Sequence, residues 1–310
     1  MLDLTDKQNI LNRLDGILLP STTPFTNDGE INIKALQQNL AQWLRTGISG
    51  IVLMGSTGER VHLDEREYLN LVEVARQFVP SDRAFIAGAG QQSIRGTLAE
   101  IKRAAAAGAD AVLVITPSFY RSAITQEVLV SYYKAVADDS PVPVLLYSMP
   151  ALTGIKIDPE TIAKLSNHQN IIGVKDSSND VARFRATVEH CPADFAVMTG
   201  NGTVLFEMLD AGATGGILAV GCVVPDVCLE IFNSFRTDAV DEARTLQLVL
   251  TPLAAAVTTK YGIGGLKAAM DLNGYCGGSV RAPLKSPGEE ATLDIGSLLK
   301  ALASDLRTAP

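Results

Sequence analysis

Val142-Pro143-Val144-Leu145-Leu146-Tyr147 and Ile171-Ile172-Gly173-Val174-Lys175 are the stretches whose reading decides the fold. Each is a short, continuous aliphatic run that closes on a polar side chain, without alternation of polar and apolar residues. A strand covered on both faces of a parallel sheet reads this way, because neither face meets water. Further runs to either side have the same character. They are Ile17-Leu18-Leu19-Pro20, Ile51-Val52-Leu53-Met54, Phe85-Ile86-Ala87-Gly88-Ala89, Ala111-Val112-Leu113-Val114-Ile115, Phe195-Ala196-Val197-Met198 and Gly215-Gly216-Ile217-Leu218-Ala219-Val220.

Helix-length amphipathic segments fall between the runs. Ile33 to Thr46 puts Leu36, Leu40, Trp43 and Leu44 on one face. Glu65 to Val79 does so with Leu69, Val72, Ala75 and Phe78, and Thr97 to Ala107 is rich in alanine, a strong helix former. Several of these segments stop at glycine, as in Arg45-Thr46-Gly47 and Ala107-Gly108, which suits a helix C-cap. Eight strand–helix alternations predict an α/β chain folded as a (β/α)8 TIM barrel. An open doubly wound sheet competes, but no GxGxxG follows the first strand, and Gly88-Ala89-Gly90 is too short for that fingerprint. The expected division is residues 1–225 for the barrel with its catalytic site. Residues 226–310 are then a C-terminal helical extension of three or four helices packed on it.

A chain of 310 residues, 47% apolar and 19% charged, suits a single globular barrel domain. Its net charge of -8 argues against a nucleic-acid partner. No apolar run reaches membrane-spanning length, and the first sixteen residues lack a signal or transit pattern, so a cytoplasmic protein is expected. Cys191, Cys222, Cys228 and Cys276 form no CxxC pair, which disfavours a disulfide framework or a zinc site. His62, His168 and His190 have no metal-binding spacing, so no metal is expected.

In a barrel of this kind, functional residues sit at the carboxyl ends of the strands. Lys175 ends one run, and desolvation at a barrel mouth would lower its pKa towards the free amine that a Schiff base requires. The competing reading is a rim lysine paired with Asp176. The other ten lysines fall in helices, loops or segments with water-facing options. Tyr147 ends another run as a proton relay or as a packed phenol. Gly55-Ser56-Thr57-Gly58-Glu59 offers two hydroxyls in a glycine-flanked turn, an anion nest for a carboxylate or an ordinary βα turn. Glu59 is read as tying that loop down.

Taken together, these residues resemble the dihydrodipicolinate synthase / N-acetylneuraminate lyase superfamily of class I aldolases. The resemblance is carried by Gly55-Ser56-Thr57-Gly58-Glu59, by Tyr147-Ser148-Met149-Pro150-Ala151-Leu152-Thr153-Gly154 and by Gly173-Val174-Lys175-Asp176-Ser177. It runs from Leu18 to about Leu284 and includes Thr22-Thr23-Pro24-Phe25. It implies Lys175 as Schiff-base lysine, Tyr147 as proton shuttle, and Ser56 and Thr57 as carboxylate binders, with Thr57 linked to Tyr147. It further implies main-chain groups at Gly200 and Ile217 lining the pocket, a homotetramer, and neither metal nor organic cofactor.

Two departures bear on the substrate. The synthase branch of the family has an arginine where this chain has Leu152, and a tyrosine pair where it has Phe119 and Tyr120. Losing a bidentate anion clamp disfavours condensation of pyruvate with aspartate semialdehyde. Other stretches are similar to 4-hydroxy-2-oxoglutarate aldolase, among them Lys175-Asp176-Ser177, Tyr261-Gly262-Ile263-Gly264-Gly265-Leu266-Lys267 and Arg281-Ala282-Pro283-Leu284. In that reading Ser177 contacts substrate. The preferred expectation is therefore cleavage of 4-hydroxy-2-oxoglutarate or a 2-keto-3-deoxy sugar acid to pyruvate and an aldehyde. Dihydrodipicolinate synthesis and a non-catalytic 2-oxo acid sensor are the alternatives.

Overall fold

The computed structural model describes residues 4–308. Eight parallel strands close into a barrel in sequence order: β1 (Gly16–Pro20), β2 (Gly50–Leu53), β3 (Ala84–Ala89), β4 (Ala111–Ile115), β5 (Val144–Ser148), β6 (Ile171–Asp176), β7 (Ala196–Thr199) and β8 (Gly215–Ile217), with β8 pairing back onto β1. The helices are α1 (Leu4–Leu14), α2 (Ile33–Trp43), α3 (Glu65–Arg76), α4 (Ile94–Ala106), α5 (Gln126–Asp139), the single turn α6 (Pro150–Thr153), α7 (Pro159–Ser166), α8 (Val181–His190) and α9 (Leu205–Asp210). After β8 come α10 (Pro225–Arg236), α11 (Val240–Ala255), α12 (Gly262–Leu272) and α13 (Glu289–Thr308). The (β/α)8 barrel expected from the sequence is the fold.

Local chemistry sets the element boundaries. Asp64 and Glu67 form a reciprocal capping box that starts α3. Ser93 caps α4 through Gly96 N–H, so that helix begins three residues earlier than its alanine-rich stretch suggests. β5 begins at Val144, after Pro143, which has no N–H to give a ladder. β8 is only three residues long. Leu218 N still donates to Leu18 O at 3.1 Å, and the chain then tightens into a 3₁₀ turn at Ala219–Cys222.

Side chains alternate between two apolar layers. One layer fills the barrel and includes Leu18, Val52, Ile86, Leu113, Leu145, Tyr147, Met198 and Ile217, with Ile10 and Leu14 of α1 joining it from one end. The other lies between strands and helices and includes Leu19, Leu53, Val114, Val144, Leu146, Ile171, Val174 and Val197. The β5–β6 ladder breaks this rhythm once. Val144 pairs with Ile171, yet the next residue, Leu145, pairs with Gly173, so β6 carries one extra residue. Ile171 and Val174 both face outward because of this bulge, and Lys175 then comes into register with Tyr147 on the inner face.

Trp43, the sole tryptophan, is fully buried and donates its indole N–H to Cys222 O at 3.1 Å, tying the end of α2 to the turn after β8. Trp43→Ala is expected to cost about 3–5 kcal/mol of stability, and Trp43→Phe clearly less. Urea denaturation followed by far-UV circular dichroism measures both.

Candidate active site

The barrel's carboxyl end gathers Lys175, Tyr147 and the Ser56 loop. Lys175 belongs to β6 itself and is 4% exposed. Its Nζ lies 4.6 Å from the centroid of the Tyr147 ring, in cation–π geometry. The Tyr147 hydroxyl is 3.0 Å from Ser56 Oγ. The rim pairing of Lys175 with Asp176 does not form; the Asp176 carboxylate instead accepts Ser178 N–H at 2.7 Å. The hydroxyl that meets Tyr147 belongs to Ser56, whereas the resemblance had implied Thr57; Thr57 is buried beside it. Tyr68, Tyr132 and Tyr133 are buried too, but Tyr68 and Tyr133 donate to Gly88 O and Val114 O, and the Tyr132 hydroxyl bonds with that of Thr97. Burial raises their pKa values, that of Tyr132 to about 12, and they stay neutral packing groups.

The Ser56 loop is bracketed by two non-glycine residues in the left-handed region, Met54 at φ 58° and Glu59 at φ 53°. Such backbone costs about 1–3 kcal/mol per residue and persists only where the surroundings hold it. Here the surroundings are specific. Glu59 N–H donates to Ser56 O at 3.1 Å, and Thr23 Oγ1 donates to Gly58 O at 2.7 Å. The Glu59 carboxylate, 2% exposed, accepts Arg281 N–H at 2.9 Å and pairs with Lys267 Nζ at 2.5 Å. Glu59 thus ties the loop down, as the sequence suggested.

Lys267 is what residue-level reading missed: it is 1% exposed, not water-facing. Its ammonium also donates to Thr23 O at 2.7 Å and Ser279 O at 2.6 Å. Burial pulls its pKa below the usual lysine value, and Glu59 opposes that shift. The available signal was composition, since Lys267 sits within Gly264-Gly265-Leu266-Lys267-Ala268-Ala269-Met270 without polar neighbours. A helix apolar on every side is a buried helix.

Ser177 and Gly200 flank Lys175. Ser177 N–H donates to Ser148 O at 3.0 Å, and Gly200 N–H to Asp176 O at 2.6 Å. A Cβ on Gly200 would lie 2.6 Å from Lys175 Cε and would also collide with Ser177 Oγ. Gly200 is therefore the space that the lysine occupies. Ile217, fully buried, ends β8 and lines the inner layer. Tyr120 does not reach the site: it is 72% exposed and packs edge-on against Phe119 at 5.1 Å. Leu152 is exposed on α6. A hollow of about 570 Å³ lies near α1, lined by Asn9, Arg13, Asp110 and Pro143 among others, and contains none of these groups.

A buried amine stacked on a phenol, inside a closed barrel and beside a hydroxyl-bearing loop, is the equipment of a class I lyase that works through a lysine imine. The sequence matches the Dihydrodipicolinate synthetase family over residues 13–302, and the chain belongs to that family. It is 31% identical to a 4-hydroxy-tetrahydrodipicolinate synthase of Methanothrix thermoacetophila, over 94% of this chain and 99% of that protein. It is also 31% identical to a protein of Emericella nidulans named "Probable 4-hydroxy-2-oxoglutarate aldolase, mitochondrial", over 89% of this chain and 90% of that one. Among solved structures it is similar to an E. coli K12 prophage protein of the dihydrodipicolinic acid synthase family in complex with pyruvate. The TM-score is 0.87 at 28% identity, covering 93% of this chain and 98% of that one. The chain is thus a pyruvate-dependent carbon–carbon lyase of the class I type. No helix among the described residues is long and apolar enough to cross a membrane.

Gly200→Ala is expected to lower turnover about tenfold or more by displacing the lysine, with an unchanged far-UV spectrum. Steady-state kinetics on the folded variant measures the effect.

Proposed function

We propose that Lys175 forms the Schiff base with pyruvate or a pyruvate-type 2-oxo acid, and that Tyr147 and Ser56 move its protons. The observation that carries this reading is the amine 4.6 Å over a phenol whose hydroxyl is 3.0 Å from Ser56 Oγ. Lys175 Nζ adds to the C2 ketone, and the carbinolamine loses water to give a protonated imine that withdraws electrons from C3. In cleavage, Tyr147, having given its proton to the water that left the carbinolamine, takes the proton of the C4 hydroxyl, C3–C4 breaks, and an aldehyde leaves. The enamine is then protonated at C3, and water hydrolyses the imine to release pyruvate. Condensation runs the same steps in reverse. Thr57, buried in the same loop, and Ser177 are assigned to the substrate's carboxylate and polar end, with main-chain groups at Gly200 and Ile217 beside them.

The aldehyde partner has two readings. The names of most similar relatives support condensation to 4-hydroxy-tetrahydrodipicolinate, the alternative in the sequence reading. The exposed Leu152, which offers no guanidinium, and Phe119, which offers no hydroxyl, support cleavage of a 4-hydroxy-2-oxo acid instead. Relatives named as synthases are 29–33% identical to this chain and the relative named as an aldolase 31%, so identity does not separate the two readings. A homotetramer is part of the proposal, with the exposed Phe119–Tyr120 pair meeting a neighbouring subunit; sedimentation velocity that returns a monomer would remove it.

Incubation with pyruvate followed by borohydride is expected to leave a reduced adduct on Lys175, located by peptide mass spectrometry. Tyr147→Phe is expected to keep that adduct but to slow turnover by about 10²–10⁴-fold. Absence of the adduct in folded wild type would refute the imine mechanism. Assays with aspartate semialdehyde and with 4-hydroxy-2-oxoglutarate then separate the two readings, and the better substrate names the reaction.

A further inference from the structure

An unbroken chain of contacts runs from the C-terminal helices to the proposed Schiff-base lysine. Lys267 Nζ on α12 pairs with Glu59 Oε1 at 2.5 Å; Glu59 N–H donates to Ser56 O at 3.1 Å. Ser56 Oγ lies 3.0 Å from the Tyr147 hydroxyl, and the Tyr147 ring lies 4.6 Å from Lys175 Nζ. Both side chains of the ion pair are 1% exposed. The ammonium donates to Thr23 O and Ser279 O and is ion-paired with Glu59 Oε1, so it is held by three separate segments of the chain. It also lies 4.6 Å over the Phe25 ring, with the Arg281 guanidinium 4.3 Å from the same ring. Arg281 is in turn clamped on Glu67 of α3 by two bonds of 2.7 Å, which hold the Glu67 carboxyl below its usual pKa.

We propose that Lys267 is a positioning residue: through Glu59 it fixes the left-handed turn that aims the Ser56–Thr57 loop at the bound 2-oxo acid and at Tyr147. The inference rests on the reading of that loop and of Lys175 given above. A buried ion pair is a poor way to gain stability, because desolvating two charges offsets most of their attraction. What this pair supplies is direction. Glu59 has one carboxylate oxygen for Lys267 and the other for Arg281 N–H, so neither the carboxylate nor the backbone turn it terminates has freedom to rotate.

The test compares Lys267→Met and Glu59→Gln with wild type, using the pyruvate concentration that half-saturates borohydride labelling of Lys175. Glu59→Gln leaves one carbonyl acceptor where the carboxylate had two, and it is the milder lesion should Lys267→Met fail to fold. Both folded variants are expected to need about tenfold or more pyruvate for half-saturation and to turn over more slowly, while saturating pyruvate still labels Lys175. The double variant is expected to fall well short of the product of the two single effects, since both break one link. A purely architectural pair would lower Tm and leave half-saturation unchanged. That result in either folded variant overturns the proposal. Wild type that fails to label at all removes the reading of Lys175, and this inference with it.

Discussion

A single extra residue in β6 decides which way the lysine points, and the chemistry of the site depends on it. In a parallel ladder, residues in register share a face, so a strand that leaves Ile171 outward would leave Lys175 outward as well. The bulge at Ile172–Gly173 shifts the count by one and brings Lys175 beside Tyr147 inside the barrel. An amine packed between strands and helices could meet no substrate. An amine at the inner mouth has a phenol for a neighbour and the space left by Gly200.

The second constraint is a loop held in a conformation it would not choose. Met54 and Glu59 are both left-handed, and the turn between them carries the hydroxyl that reaches Tyr147. The holding groups come from far away in the sequence: Thr23 after β1, Lys267 on α12 and the backbone of Arg281. The C-terminal helices are therefore part of the site's construction. They hold the Ser56 loop in place from outside the barrel mouth.

The rim is where the chain departs from the synthase branch that it resembles. Leu152 on α6 is exposed, and Phe119 and Tyr120 are exposed and meet each other edge-on. The proposed inner machinery serves condensation and cleavage alike, because an imine and an enamine require the same amine and the same proton relay. In the proposed reaction the aldehyde would meet the rim, where a fixed cation favours a second carboxylate and an apolar side chain does not.

The eight strands were legible because a strand buried on both faces is a continuous aliphatic run, and Lys175 and Tyr147 were legible because each ends such a run. That the two lie side by side is a matter of the architecture. The orientation of Lys175 was not legible, since a bulge leaves no mark on a run as uniform as Ile171-Ile172-Gly173-Val174. Nor was the choice of Ser56 over Thr57, because adjacent hydroxyls are told apart only by the backbone angles of the turn. Lys267 read as an ordinary helix lysine, because its three partners lie on segments that only the closed fold brings together. Sequence by itself determined the elements and the candidate reactive groups, through local periodicity and residue chemistry. Tertiary structure decided direction and support, because both depend on ladder register and on contacts between residues more than two hundred positions apart.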